Sequence, residues 1–318
     1  MAQNGISTLA TKQARQIAKL DLAQTKRQTP GPGFRGGNVY DITALPTQFS
    51  GNTIVDNPNP DGLLPGRPWT GIIALAAPTT IQEAVPAQTL LVLESYYDAS
   101  DGAYFVPANP ADNTTFTQWK DKSAYAHNAN PTGGATTRPT LQTNELNGRS
   151  VVQFDGINDG LTINPYANLV NAPAITIFVV AKLTATAGYP KLFGQDQSLD
   201  MFYSTDSNSW RFNVTGAVAT STGANDSAWH IHTVAFDGTQ STNAAKFRYR
   251  RDRSAVTLTY SGIMMNTIGP GNTLSIGNYN AASQFFTGDI AEFLIFTKAL
   301  PDVEITNVEN YLKTKWGL

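Results

Sequence analysis

The sequence contains no cysteine, which excludes disulfides and thiolate metal centres and leaves stability to packing or assembly. Charge is scarce as well: Asp, Glu, Lys and Arg make up 14% of the chain, with three histidines (His127, His230, His232) and six glutamates (Glu83, Glu94, Glu145, Glu292, Glu304, Glu309). No run of eighteen apolar residues occurs and the start lacks the apolar core of a signal peptide. The expectation is a protein made in the cytoplasm without membrane insertion. GxSxG, HExxH and P-loop motifs are missing. A formal GxGxxG at Gly31, Gly33 and Gly36 lacks the strand before it and the helix after it, and Pro32 removes a backbone donor, so it is rejected as a nucleotide site.

What is present divides the chain into three parts. Residues 1–28 carry Lys12, Arg15, Lys19, Lys26 and Arg27 against Asp21, a local charge of +4 that leaves −6 on the rest of a chain of net −2. Ala, Gln, Lys and Leu dominate residues 6–27 without Gly or Pro, predicting a basic helix with a weak apolar stripe that orders against a partner. Residues 29–87 hold prolines 30, 32, 46, 58, 60, 65, 68, 78 and 86, a density that forbids long helices and central strands and predicts an extended arm.

From 88 to 318 short β-branched or aromatic segments alternate with Gly, Asn, Asp and Ser turns. Ten strands are expected: 90–94, 151–154, 175–182, 199–203, 210–214, 229–236, 247–249, 256–260, 274–276 and 290–296. Helices do not alternate with them, so the fold class is mainly β with two packed antiparallel sheets. After the last strand, Pro301, Asp302 and Glu304 mark a helix start, Lys313, Lys315 and Gly317 mark its end, and Ile305, Val308, Leu312 and Trp316 form one apolar face. That helix is expected at an edge or end of the sandwich.

The string GDIAEFLIF (288–296) followed by a helix ending in YLKTKWGL, with YYDASDG (96–102), TQWKDKSAYAHNA (117–129), NGRSVVQFDGINDGLTI (147–163), AWHIHTVAFDG (228–238) and TLSIGNYN (273–280) before it, resembles laminin-G-like, concanavalin-type jelly-roll domains. The resemblance implies a concanavalin-like β-sandwich but fixes no activity. More loosely, MAQNGISTLATKQARQIAKL and residues 39–69 are similar to the starts of structural proteins from phages of aquatic bacteria. Together they imply a virion structural protein, synthesised in the host cytoplasm, held in a capsid, neck, baseplate or tail by its N-terminal parts. Its expected partners are other virion subunits, itself as a homo-oligomer (by analogy a trimer) and a host surface polysaccharide. Nucleic acid is not expected, because the sandwich is acidic. The alternatives are a concanavalin-class polysaccharide-degrading enzyme and a freestanding carbohydrate-binding protein.

Residue chemistry supplies the candidate sites. KFRYRRDRS (246–254) alternates so that Lys246, Arg248 and Arg250 share a face, with Arg251 near a hairpin tip. This is either a dock for an anionic glycan or subunit, or a charged edge strand. Tyr279 and Asn280 lie in an amide-rich loop suited to sugar contact. Asp155, Asn158 and Asp159 offer calcium oxygens, as do Asp98 and Asp101, although turns use the same residues. His230 and His232 share one strand face, whereas His127 sits far away with no carboxylate partner apparent. Glu292 is read as a framework acid. With no pair of glutamates placed for glycoside hydrolysis, a non-enzymatic role is expected.

Overall fold

The computed structural model describes residues 77–184, 188–195, 198–279 and 283–318. The basic helix expected at 1–28 and most of the 29–87 arm fall outside them. The described residues belong to one compact unit, Ala76–Leu318. It therefore starts earlier than 88: α1 (Ile81–Ala84) opens with a capping box between Thr80 and Glu83, and α2 (Ala87–Leu90) follows.

Strands β1 (Leu93–Asp98), β2 (Phe105–Val106), β3 (Thr114–Thr115), β4 (Gln118–Trp119), β5 (Asn130–Pro131), β6 (Thr140–Leu146) and β7 (Arg149–Asp155) come next. Then follow β8 (Leu161–Ile163), β9 (Ala174–Leu183), β10 (Lys191–Gln195), β11 (Leu199–Ser204), β12 (Ser209–Val214) and β13 (Ala217–Ser221). After β14 (Trp229–Asp237) a short α3 (Asn243–Lys246) leads into β15 (Phe247–Arg251), β16 (Ser254–Ala255) and β17 (Leu258–Gly262). The chain closes with β18 (Leu274–Ile276), β19 (Thr287–Phe296) and α4 (Asp302–Trp316).

These strands build the expected antiparallel sandwich. The nine-stranded sheet runs β16-β15-β14-β9-β19-β7-β6-β3, with β1 also on β19, and the eight-stranded sheet runs β17-β13-β12-β11-β10-β18-β8-β5. β19 holds the larger sheet together. It pairs with β9 from Gly288 to Phe296, with β7 over Thr287–Ile290, and with β1 from Glu292 onward.

Ile177, Val179, Phe293 and Ile295 point inward and meet Met201, Phe212 and Val214 of the smaller sheet. Their strand neighbours Phe178, Val180, Leu294 and Phe296 point the other way into a second core, formed with Ile305, Val308, Leu312 and Trp316 of α4. This two-sided burial explains why β9 and β19 are almost continuously apolar. It also corrects the expected helix position: α4 lies across the outer face of the larger sheet, joined there by Ile81, Ala84 and Val85.

The fastening of that helix is polar. Glu292, fully buried on β19, accepts hydrogen bonds from the Tyr311 hydroxyl (2.7 Å) and Trp316 Nε1 (2.6 Å) and pairs with Lys315 (2.8 Å). Lys315 also reaches Asp98 on β1 (2.8 Å), which in turn holds Lys122 (2.9 Å). Burial alone would raise the Asp98 pKa, but the Lys315 and Lys122 ammonium groups overcome it and hold it at about 2. Gly317, with φ +71°, ends the helix in a conformation that favours glycine.

Replacing Glu292 by Leu leaves Lys315 less well compensated and the buried Trp316 Nε1 unpaired, so a loss of about 3–5 kcal/mol is expected. The check is the urea midpoint with an unchanged m-value. A midpoint equal to that of the parent chain would show that the cluster does not fasten the helix.

Candidate functional site

The charges of the basic strand are paired within the fold, with Arg248 still 42% exposed. Lys246 ends α3 with its ammonium buried against the Met264 carbonyl (2.8 Å) and Asn266 Oδ1 (2.7 Å). Arg250 forms a two-pronged pair with the buried Glu309 of α4 (2.9 and 2.8 Å), and Arg248 pairs with Asp302 at the start of the same helix. The expected alternation of β15 is present, with Phe247 and Tyr249 in the core, but its outer face docks the chain's own helix. Two hollows of about 220 and 260 Å³ flank Arg248, and Asp302 and Asp237 line them beside it. Arg248 and Arg250 with Asp302 line the first and Arg248 with Asp237 the second, so charges of both signs meet there. Arg251 reaches the Ala224 carbonyl at 3.4 Å, while Asp252 and Arg253, both at positive φ, form the hairpin tip.

The acidic loops also turn inward. Asp155 Oδ1 accepts from the backbone N–H groups of Ile157, Asn158 and Asp159, and Asp159 Oδ2 accepts from Asp155 N. Burial pushes the Asp159 pKa up to about 6. Among the described residues no three His, Cys, Asp or Glu side chains converge, and Asp155 and Asp159 spend the oxygens named above on backbone N–H groups of a turn. Asp98 and Asp101 both hold Lys122.

All three histidines have partners. His230 lies between Asp252 (Nδ1, 2.6 Å) and Asp226 (Nε2, 2.7 Å), tying the β13–β14 loop to the β15–β16 hairpin. Its hydrogen bond to Asp252, seconded by Asp226, raises its pKa. His232, buried against the Tyr249 hydroxyl (2.8 Å), is held near pKa 3 by burial and by the His230 charge. His127 corrects the sequence reading: its Nε2 sits 2.6 Å from Glu94 Oε1.

Polar side chains also line the outer face of the smaller sheet, exposed at its edges and buried at its centre. Directly paired residues carry one row across all eight strands: Asn130, Thr162 and Ser275, then Gly194, Asp200 and Asn213, then Val218 and Ser261. A parallel row holds Lys191, Phe202, Arg211, Thr220 and Thr259. At the centre the buried Lys191 and Asp200 pair at 2.9 Å, and Asn213 Nδ2 donates to the same Asp200 oxygen (3.0 Å). Burial lowers the Lys191 pKa, partly offset by Asp200. A Cβ at Gly194 would stand 2.5 Å from Asp200 Oδ1 and 2.8 Å from Lys191 Cδ, so glycine makes room for the pair.

The Tyr279 ring lies 3.8 Å from the Lys191 ammonium, while Asn280 lies outside the described residues. Asp200 Oδ1 and Arg211 Nε are buried without a hydrogen-bond partner. Such atoms are met by an ordered water, an ion or a ligand that reaches them, or are carried at a cost in stability. The signal for Asp200 was its place amid LDMFYS, an acid on the polar side of an alternating strand.

The fold and this face define a two-sheet β-sandwich with one helix-covered face and one polar face. Residues 155–306 match the family model Laminin_G_3, described as the concanavalin A-like lectin/glucanases superfamily. Similar solved structures include Trypanosoma rangeli sialidase, at 13% identity and TM-score 0.49, covering 73% of this chain and 34% of that one. The K499G mutant of NanB sialidase from Streptococcus pneumoniae matches at 15% identity and TM-score 0.39, over 49% of this chain and 27% of that one. The chain thus spans about a third or less of these sialidases. No curated protein matches the sequence. The superfamily takes in glucanases as well as lectins, which overturns the non-enzymatic expectation.

The linkage at His230 has a definite sign. Its raised pKa contributes stability that is complete below the unfolded value of about 6.5 and is lost as pH rises through the folded value. The stability advantage of the parent chain over His230→Gln should therefore shrink on going from pH 6 to alkaline pH. Imidazole proton NMR should show His230 titrating above His232. An advantage that grows with pH contradicts the arrangement.

Proposed function

We propose that the chain is a glycan-engaging structural protein of a bacteriophage particle, holding saccharide on the polar face of its smaller sheet. The observation that carries the glycan reading is the unfilled pair, Asp200 Oδ1 as acceptor and Arg211 Nε as donor, on adjacent strands of that face. Sugar hydroxyls both donate and accept, and Phe202 and Tyr279 supply rings to stack on. The row of small and polar residues across eight strands suits an extended saccharide. The lectin/glucanase description of residues 155–306 supports the same class of ligand.

The virion part of the reading is supported by sequence alone: the +4 charge of residues 1–28, the proline-dense segment after it, and the likeness of both to starts of phage structural proteins. In this reading the N-terminal parts contact other particle subunits, and the sandwich meets polysaccharide at the host surface.

Arg211→Ala should weaken binding of host-surface oligosaccharides about tenfold or more, since a hydrogen bond to a charged group contributes about 1.5–3 kcal/mol, and Phe202→Ala should weaken it through loss of the stacking ring. Titration calorimetry measures this, and reducing ends released from the same glycans report cleavage. Unchanged affinity in both variants refutes the site. For the particle, Lys12→Glu with Arg15→Glu and Lys19→Glu should abolish co-sedimentation with purified virions; full incorporation would refute the anchor.

A further inference from the structure

We infer that His127, oriented by Glu94, is a general base for the hydrolysis of acyl esters laid against the exposed ring of Tyr125. This site is separate from the smaller sheet's polar face and does not depend on the glycan reading.

The placement of Glu94 is unusual for a strand acid. β1 pairs with β19 at Leu93↔Phe296 and Ser95↔Ile295, so Glu94 is the extra residue of a β-bulge. Bulges re-aim side chains, and this one turns the carboxylate to a loop 33 residues away in sequence. Glu94 is 1% exposed, and its Oε1 receives both His127 Nε2 (2.6 Å) and Asn168 Nδ2 (2.6 Å). In the tautomer in which Nε2 donates to this oxygen, Nδ1 keeps its lone pair.

The imidazole is fixed from every side. Its backbone N–H donates to Asp121 Oδ2 (2.9 Å) and its carbonyl accepts from the Tyr97 hydroxyl. Ala126 before it is held at φ +58°, a conformation costly for a residue with a Cβ and often found where function fixes the backbone. Tyr166 meets the ring edge-on, and Tyr125, 43% exposed, lies parallel to it at 6.0 Å. No hydrogen bond occupies Nδ1 among the described residues, and the side chain is 19% exposed. Of the three histidines, His230 has both ring nitrogens bonded and His232 is sealed in the core. His127 alone combines an oriented ring, a free nitrogen and access to water.

The chemistry balances without a cofactor. Water gives a proton to Nδ1 as its oxygen attacks the acyl carbon. The ester C–O bond breaks, and the proton passes from Nδ1 to the departing alkoxide, giving acid and alcohol. Glu94 stays ionised and steadies the transient imidazolium, acting as a positioning residue. The flat ring of Tyr125 selects esters of planar or ring-shaped alcohols, such as O-acylated sugars.

The probe is p-nitrophenyl acetate with the full chain. Saturable hydrolysis is expected, falling about 100-fold in kcat/KM with His127→Gln. Glu94→Gln should lower kcat with little change in KM, Tyr125→Ala should raise KM, and His230→Gln should change neither. Because His127→Gln could disturb the loop, its circular dichroism is compared with the parent. The unmutated chain is also treated with diethylpyrocarbonate, the modified histidines being mapped by mass spectrometry. Activity lost in step with His127 modification supports the inference. Parent hydrolysis no faster than that of His127→Gln, or activity that survives modification of His127, overturns it.

Discussion

Glu292 is the contact on which the rest of the molecule depends. A carboxylate taken fully out of water costs several kcal/mol unless it is paired and hydrogen-bonded, and here three groups from one helix meet it. Those groups, Tyr311, Lys315 and Trp316, come from the last turns of α4, so the helix cannot slide along the sheet without stranding the acid. Lys315 carries the link on to Asp98, and Asp98 to Lys122. The first strand, the closing strand, the C-terminal helix and the loop after β4 are thereby joined through one chain of alternating charge.

That fastening decides which surfaces are left for function. With α4 across the larger sheet, Arg250 and Arg248 are drawn to Glu309 and Asp302, and the most cationic strand becomes part of an internal joint. The smaller sheet has no comparable helix among the described residues, and its outer face stays polar across all eight strands. The two faces of the sandwich thus differ in cover: α4 closes one, and no helix among the described residues closes the other.

Much of the fold was legible in the sequence because its determinants are local. Short β-branched and aromatic segments marked β9, β12 and β14, a continuous apolar run marked β19, and Pro301 with Gly317 bounded α4 to within a residue. The first strand was placed early, since Leu90 and Leu91 look strand-like yet belong to the turn closing α2. β10 escaped notice because Lys191, Gly194 and Gln195 read as loop residues until Asp200 and the neighbouring strand are set beside them. The basic strand misled for the same reason: Arg250 and Glu309 lie 59 positions apart, and no pattern within KFRYRR reveals an acid that distant. His127 appeared unpartnered because its carboxylate sits on a bulge, where strand alternation stops predicting direction.

The same reasoning separates structural from functional polar groups in this chain. Glu292, Glu309 and Asp121 have their oxygens filled by hydrogen bonds or ion pairs from the fold, so removing any of them would cost stability and gain nothing. Asp200 and His127 differ: each has one atom fixed by an internal partner and another left open, Oδ1 in the first and Nδ1 in the second. An atom that is oriented but unfilled sacrifices part of the stability its burial could have provided. Such an arrangement is expected to persist where the missing partner arrives from outside, as a hydroxyl at Asp200 or a water proton at His127.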